Sequence, residues 1–151
     1  MSFTIQTEQE AAVTILFTCV MQDQKQLTDQ QIEQISRAMV LCTRFRGGDL
    51  NELTRNAISL QAKNDSREIL EACAPLIDES FRETLFAMVC EVMLLDGQIN
   101  EDRTRVIALL ALNLNITMER MKMMLATYLI RNKWNVHVVE TNDQLNGNGK
   151  P

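Results

Sequence analysis

Residues 93–103 read Met93-Leu94-Leu95-Asp96-Gly97-Gln98-Ile99-Asn100-Glu101-Asp102-Arg103, and the apolar run of residues 106–114 follows. Asp-Gly is a turn signal, because glycine enters the left-handed conformation that ends a helix at little cost. Asn100 can cap a new helix by accepting a hydrogen bond from a backbone N–H of its first turn, and Glu101 and Asp102 favour the positive end of that helix dipole. The stretch therefore predicts one helix ending near Asp96-Gly97 and another beginning at Asn100. It sets the pattern for the whole chain.

The same arrangement occurs 73 residues earlier. Val13 aligns with Phe86, Leu16 with Val89, Val20 with Met93 and Asp23 with Asp96. Beyond that aspartate the shift becomes 72, so Leu27 aligns with Ile99, Thr28 with Asn100, Asp29 with Glu101 and Ile35 with Ile107. Each unit is a helix, an acidic turn, an aliphatic residue, a cap and a second helix. One helical hairpin cannot cover its own apolar stripe, so the two units are expected to pack with approximate two-fold symmetry, with residues 8–45 corresponding to 81–114.

Capping signals place the other helices. Thr7 with Glu10 opens a first helix running to about Gln22, and Thr28 with Gln31 opens a second. The second carries Ile32, Ile35, Met39 and Cys42 at helical spacing and is expected to stop at Gly47-Gly48. Asp49 with Glu52 starts a third, and Asp65 with Glu68 a short fourth limited by Pro75. A fifth runs from near Asp78 to Asp96-Gly97, a sixth from Asn100 to Leu114, and a seventh from Thr117 to about Asn132. Only residues 134–139, where Trp134, Val136 and Val138 alternate with Asn135, His137 and Val139, read as extended chain. The prediction is an all-α bundle of about seven helices over residues 1–140, followed by a flexible tail at 141–151.

Composition narrows the function. The chain has 151 residues, 46% of them hydrophobic, with 15 Lys+Arg against 20 Asp+Glu and a formal net charge of -5. That balance holds in both halves and supplies no phosphate attraction, so a nucleic-acid partner is not expected. The start has no basic region followed by an apolar run, and no apolar stretch is long enough to span a bilayer, so the expectation is a cytoplasmic protein without membrane insertion. Cys19, Cys42, Cys73 and Cys90 are far apart in sequence and read as buried reduced thiols rather than zinc ligands, with His137 the only histidine.

The turn motif resembles that of the TerB-like superfamily, the tellurite-resistance and DjlA N-terminal-like helical domains. The family pattern is an apolar helix ending in Asp-Gly, any residue, an aliphatic one, a Ser/Asp/Asn cap, and Glu three positions later. Asp96, Gly97, Ile99 and Asn100 match it, while Arg103 stands at the glutamate position. The first unit keeps Asp23, Leu27 and Thr28 but has Gln24 for the glycine and Gln31 for the glutamate. The resemblance covers roughly residues 8–132. It implies a non-catalytic module that binds other proteins in a stress or tellurite-resistance complex, associated with a membrane through a partner. A homo-oligomer is compatible with it.

The resemblance also associates the acidic turns with a divalent cation such as calcium, which makes Asp96, Glu101, Asp102, Asp23 and Asp29 the candidate ligands of an alternative, a cation sensor. An EF-hand is excluded, since Gln98 falls at the third loop position and Ile107 where a bidentate glutamate belongs. Turn, cap and dipole chemistry account for the same acids, and with both family glutamates replaced the expected cofactor is none. Arg44 and Arg46, before Gly47-Gly48, suit either a helix C-terminus or an anion. Met118, Met121, Met123 and Met124 suit an adaptable core better than a soft-metal site. No Gly-rich loop, nucleophile elbow or His–carboxylate pair suggests catalysis, so an enzyme is not expected.

The seventh helix carries the candidate partner surface. Met121, Met124 and Tyr128 share its inner face. Met123, Ile130 and Trp134 fall off that stripe, flanked by Arg120, Lys122, Arg131 and Lys133. They form either a partner surface or a patch covered by the residues that follow.

Overall fold

The computed structural model describes residues 3–22 and 24–135. Seven α-helices follow one another: α1 Glu8–Val20, α2 Asp29–Leu41, α3 Leu50–Lys63, α4 Ser66–Cys73, α5 Glu79–Met93, α6 Glu101–Asn113 and α7 Met118–Asn132. Two 3-10 turns, Thr43–Phe45 and Ala74–Leu76, complete the regular structure, and no strand occurs among the described residues. The all-helical expectation holds. Asp23, residues 136–139 with His137, and the tail at 141–151 lie outside the described residues.

Local chemistry explains where six of the seven helices begin; Asp65, ahead of α4, makes no side-chain cap bond. Thr7, Thr28, Asp49, Asn100 and Thr117 each accept the backbone N–H three residues on, and Asp78 accepts that of Ser80. Thr28 and Gln31 form a complete capping box, with the Gln31 side chain returning to the Thr28 N–H.

The helices end less predictably. α2 stops at Leu41, well before Gly47, because Cys42 adopts an extended conformation and the chain enters a 3-10 turn. That bend buries Phe45 edge-on against Phe81, ring centroids 6.3 Å apart. It also brings Arg44 to Glu8 at 3.0 Å and to the Ser80 hydroxyl at 2.7 Å. Arg44 therefore neither caps a helix C-terminus nor stands open to an anion: its charge faces Glu8 and, at 3.5 Å, Asp78. Arg46, on the rim of the same bend, is exposed.

The core centres on α1, all of whose residues from Ala11 to Val20 are buried. A helix that is apolar on every side has to be enclosed, and α3, α4 and α5 surround this one. α5 joins the two halves of the molecule, packing on α1, α2, α6 and α7. The aligned positions Val13, Leu16, Val20 and Ile35 are buried, as are Phe86, Val89, Met93 and Ile107. Leu27 and Ile99 differ, the first partly covered by the core and the second exposed. The packing partners of the two units also differ, since α2 rests on α5 whereas α6 meets α4, α5 and α7.

Cys19, Cys73 and Cys90 are buried free thiols, and Cys42 is half-buried. Burial pushes the Cys73 and Cys90 thiols up to about 12 and raises Cys19 further. Thiolate is the reactive form. A thiol reagent should therefore modify Cys42 first in the native protein and reach the other three only on unfolding. Rapid native modification of more than one thiol, counted by mass spectrometry, would contradict this packing.

Candidate functional site

The acidic turn between α5 and α6 is built around an arginine. Asp96 Oδ1 accepts the Gln98 backbone N–H at 3.1 Å and Arg103 Nη1 at 2.8 Å. The same Nη1 donates to the Gln98 carbonyl at 2.9 Å. The guanidinium thus gathers two of the oxygens that a cation would use, and the positive charge is tethered to the chain. Glu101 and Asp102 point elsewhere. Both pair with Arg105 on the exposed side of α6, at 3.3 and 3.1 Å, and both are solvent-facing. Asp29 occupies the first turn of α2 and is exposed. Among the described residues no three His, Cys, Asp or Glu side chains converge as ligands would.

The α5–α6 turn also receives the end of α7, which sequence reading missed. Gly97 has φ +71°, and a Cβ added there would lie 2.4 Å from the Asn132 carbonyl oxygen. Asn132 is buried. Its amide donates to the Tyr128 carbonyl at 2.9 Å, and its Oδ1 accepts from Asn135 at 2.7 Å. The Asn135 amide reaches the Leu95 carbonyl at 2.9 Å, closing a clasp between helix and turn. The asparagines three residues apart were the only sequence trace of this contact.

At its other end α7 is fixed to α5. Arg120 pairs with Glu83 through two nitrogen–oxygen contacts, at 2.9 and 3.1 Å. Hydrogen bonding to Arg120 holds the Glu83 carboxyl below its ordinary range, and the same bond raises the guanidinium. Between these anchors Met121 and Leu125 are buried, while Met124, Tyr128 and Leu129 are partly covered by the core.

The outer face of α7 is uncovered by the described residues. Met123 is 51% exposed, Ile130 73% and Trp134 85%. Lys133 Nζ lies over the Trp134 ring, 5.2 Å from its centroid. The three residues assigned from sequence to a partner surface are thus all exposed, Met123 and Ile130 on α7 and Trp134 in the turn that follows it.

Clefts indent the rest of the body, among them three of about 440 Å³ or more. One of about 440 Å³ separates α2 from α3, with apolar walls from Ile32, Val40, Leu50 and Ile58 over Phe17. A polar one of about 690 Å³ lies beside the α6–α7 connection, where Arg120 is engaged with Glu83 and Arg82 Nε with the Ile77 carbonyl. The third, about 520 Å³, runs between α4 and α6 past Leu112 and Met118, both exposed. Thr18 borders it with a buried hydroxyl that has no hydrogen-bond partner among the described residues.

The chain matches no family model, and no curated protein or solved structure is significantly similar to it. No helix among the described residues is long and apolar enough to cross a membrane.

Proposed function

We propose that this chain is a non-catalytic, TerB-like helical module that works by binding another protein. The observation that carries the reading is the apolar face of α7 left uncovered by the described residues, on a helix anchored at both ends against the body. Apolar clusters rimmed by charge are commoner at recognition sites than elsewhere on a surface. The stress or tellurite-resistance setting, and membrane association through a partner, rest on the sequence resemblance alone. Replacing Met123, Ile130 and Trp134 together by serine should leave the melting temperature nearly unchanged and abolish capture of the partner retained by the unaltered protein from its native host. Unchanged capture by the triple variant would remove α7 from the proposal.

The alternative, a divalent-cation sensor, is favoured by the acids of the Asp96 turn and disfavoured by Arg103 among them. Calcium at millimolar concentration is expected to leave the melting temperature unchanged. A site of micromolar affinity would add about 4 kcal/mol under those conditions. A clear rise that Asp96→Asn abolishes would promote the sensor.

A further inference from the structure

We infer that the exposed stripe of α7 docks an acidic amphipathic helix of another protein, an inference that rests on the interaction-module reading above. The stripe has helical recognition geometry. Met123, Thr127 and Ile130, all exposed, succeed one another on α7 at steps of four and three residues, and the exposed Trp134 follows in the turn just beyond the helix. That is the spacing at which one helix presents a seam to another, here over about 10 Å of axis from Met123 to Ile130.

The charges beside the seam choose the partner. At 3.6 residues per turn, Lys122 and Lys133 fall along one flank and Arg120 and Arg131 along the other. Glu119 is the only acid in α7. Arg120 already pairs with Glu83, while no ion pair to Lys122 or Arg131 forms among the described residues. The face is thus basic on a chain whose formal net charge is -5. A second copy meeting this face through its own α7 would set like charges against each other in either orientation, which opposes self-association there. A helix with leucine-type residues at the same spacing and glutamates on both flanks complements the stripe in shape and sign.

Trp134 is the only tryptophan in the chain, so its emission reports on this face. The probes are two 18-residue peptides with one leucine seam, flanked by glutamate in the first and by lysine in the second. They are titrated into the 151-residue chain and followed by Trp134 emission and by peptide anisotropy. The glutamate peptide should shift the emission to the blue and bind about tenfold tighter than the lysine peptide at low salt. The preference should shrink to within about twofold at 1 M salt, where the screening length is only about 3 Å. Ile130→Ser should weaken binding about tenfold, and the double variant Lys122→Glu/Arg131→Glu should invert the preference.

Equal binding of both peptides would overturn the acidic partner while leaving the interaction face standing. Failure of both, with Trp134 emission typical of full exposure, would overturn the inference and count against the α7 reading itself. A blue shift produced by phosphatidylglycerol vesicles but by neither peptide would assign the face to a membrane surface and overturn the inference. Emission already blue in the free protein would overturn it too. Dependence on protein concentration would then identify a second copy as the occupant, and reversal on truncation after Asn135 would identify the chain's own C-terminal residues.

Discussion

Gly97→Ala should destabilise the protein by roughly 2–5 kcal/mol, the sum of left-handed backbone strain and overpacking against a neighbouring main chain. For a chain of this size that corresponds to a fall in melting temperature of about 2–4 °C per kcal/mol. Two effects act at this position. The φ of +71° penalises any Cβ, and the added carbon would also lie 2.4 Å from the Asn132 carbonyl oxygen and 2.9 Å from its carbonyl carbon. Those atoms belong to the end of α7 and cannot swing aside as a flexible side chain would. Gly47 separates the effects, since its φ is +81° but a Cβ there meets nothing within 4 Å. Gly47→Ala should therefore cost only the strain, about 1–2 kcal/mol. Equal losses at the two glycines would show that the end of α7 does not bear on the turn. Gly97→Asn should remain nearly as damaging as alanine, because asparagine tolerates the backbone conformation but still carries the Cβ.

This contrast marks what could be read in the chain beforehand. That Gly97 ends a helix is a local statement, legible from Asp-Gly before a capping asparagine. That it must also be small to admit the Asn132 carbonyl is a tertiary statement, and no nearby residue announces it. The same division runs through the fold. Thr28, Asn100 and Thr117 were readable as caps because the bonds they make reach only three residues on. The end of α2 was misread because the glycine pair is the stronger local signal. Burial of Phe45 and the pairing of Arg44 with the distant Glu8 set the actual end. In the candidate cation turn, the presence of Arg103 was visible in sequence. Its contact with both Asp96 and the Gln98 carbonyl was not, because side-chain direction depends on the turn's geometry.

The α7 face divides in the same way. Helical periodicity alone separated Met121, which is buried, from Met123, Ile130 and Trp134, which are exposed. Periodicity assigns a side, but it does not say how firmly a helix is held. The Arg120–Glu83 pair and the Asn135–Leu95 bond supply that, each joining residues far apart in sequence. A recognition helix benefits from such anchoring, because a rigid face loses less conformational entropy on binding.

Phe86→Ala should cost about 3–5 kcal/mol, read as a lowered urea midpoint with little change in slope. Phe86 is fully buried on α5 and is among the largest side chains with no solvent contact. The cost of such a truncation depends on how far the surroundings can collapse into the space left behind. Here α5 is held by four helices, α1, α2, α6 and α7. A shift that filled the cavity would loosen the contacts of α5 with its other neighbours, so relaxation is restricted and the upper part of the range is expected. Leu112→Ala provides the comparison. It removes a large aliphatic side chain that is 71% exposed, and should change stability by no more than about 0.5 kcal/mol. A loss below about 1 kcal/mol at Phe86 would contradict its enclosed position on α5 and, with it, the body against which α7 is anchored.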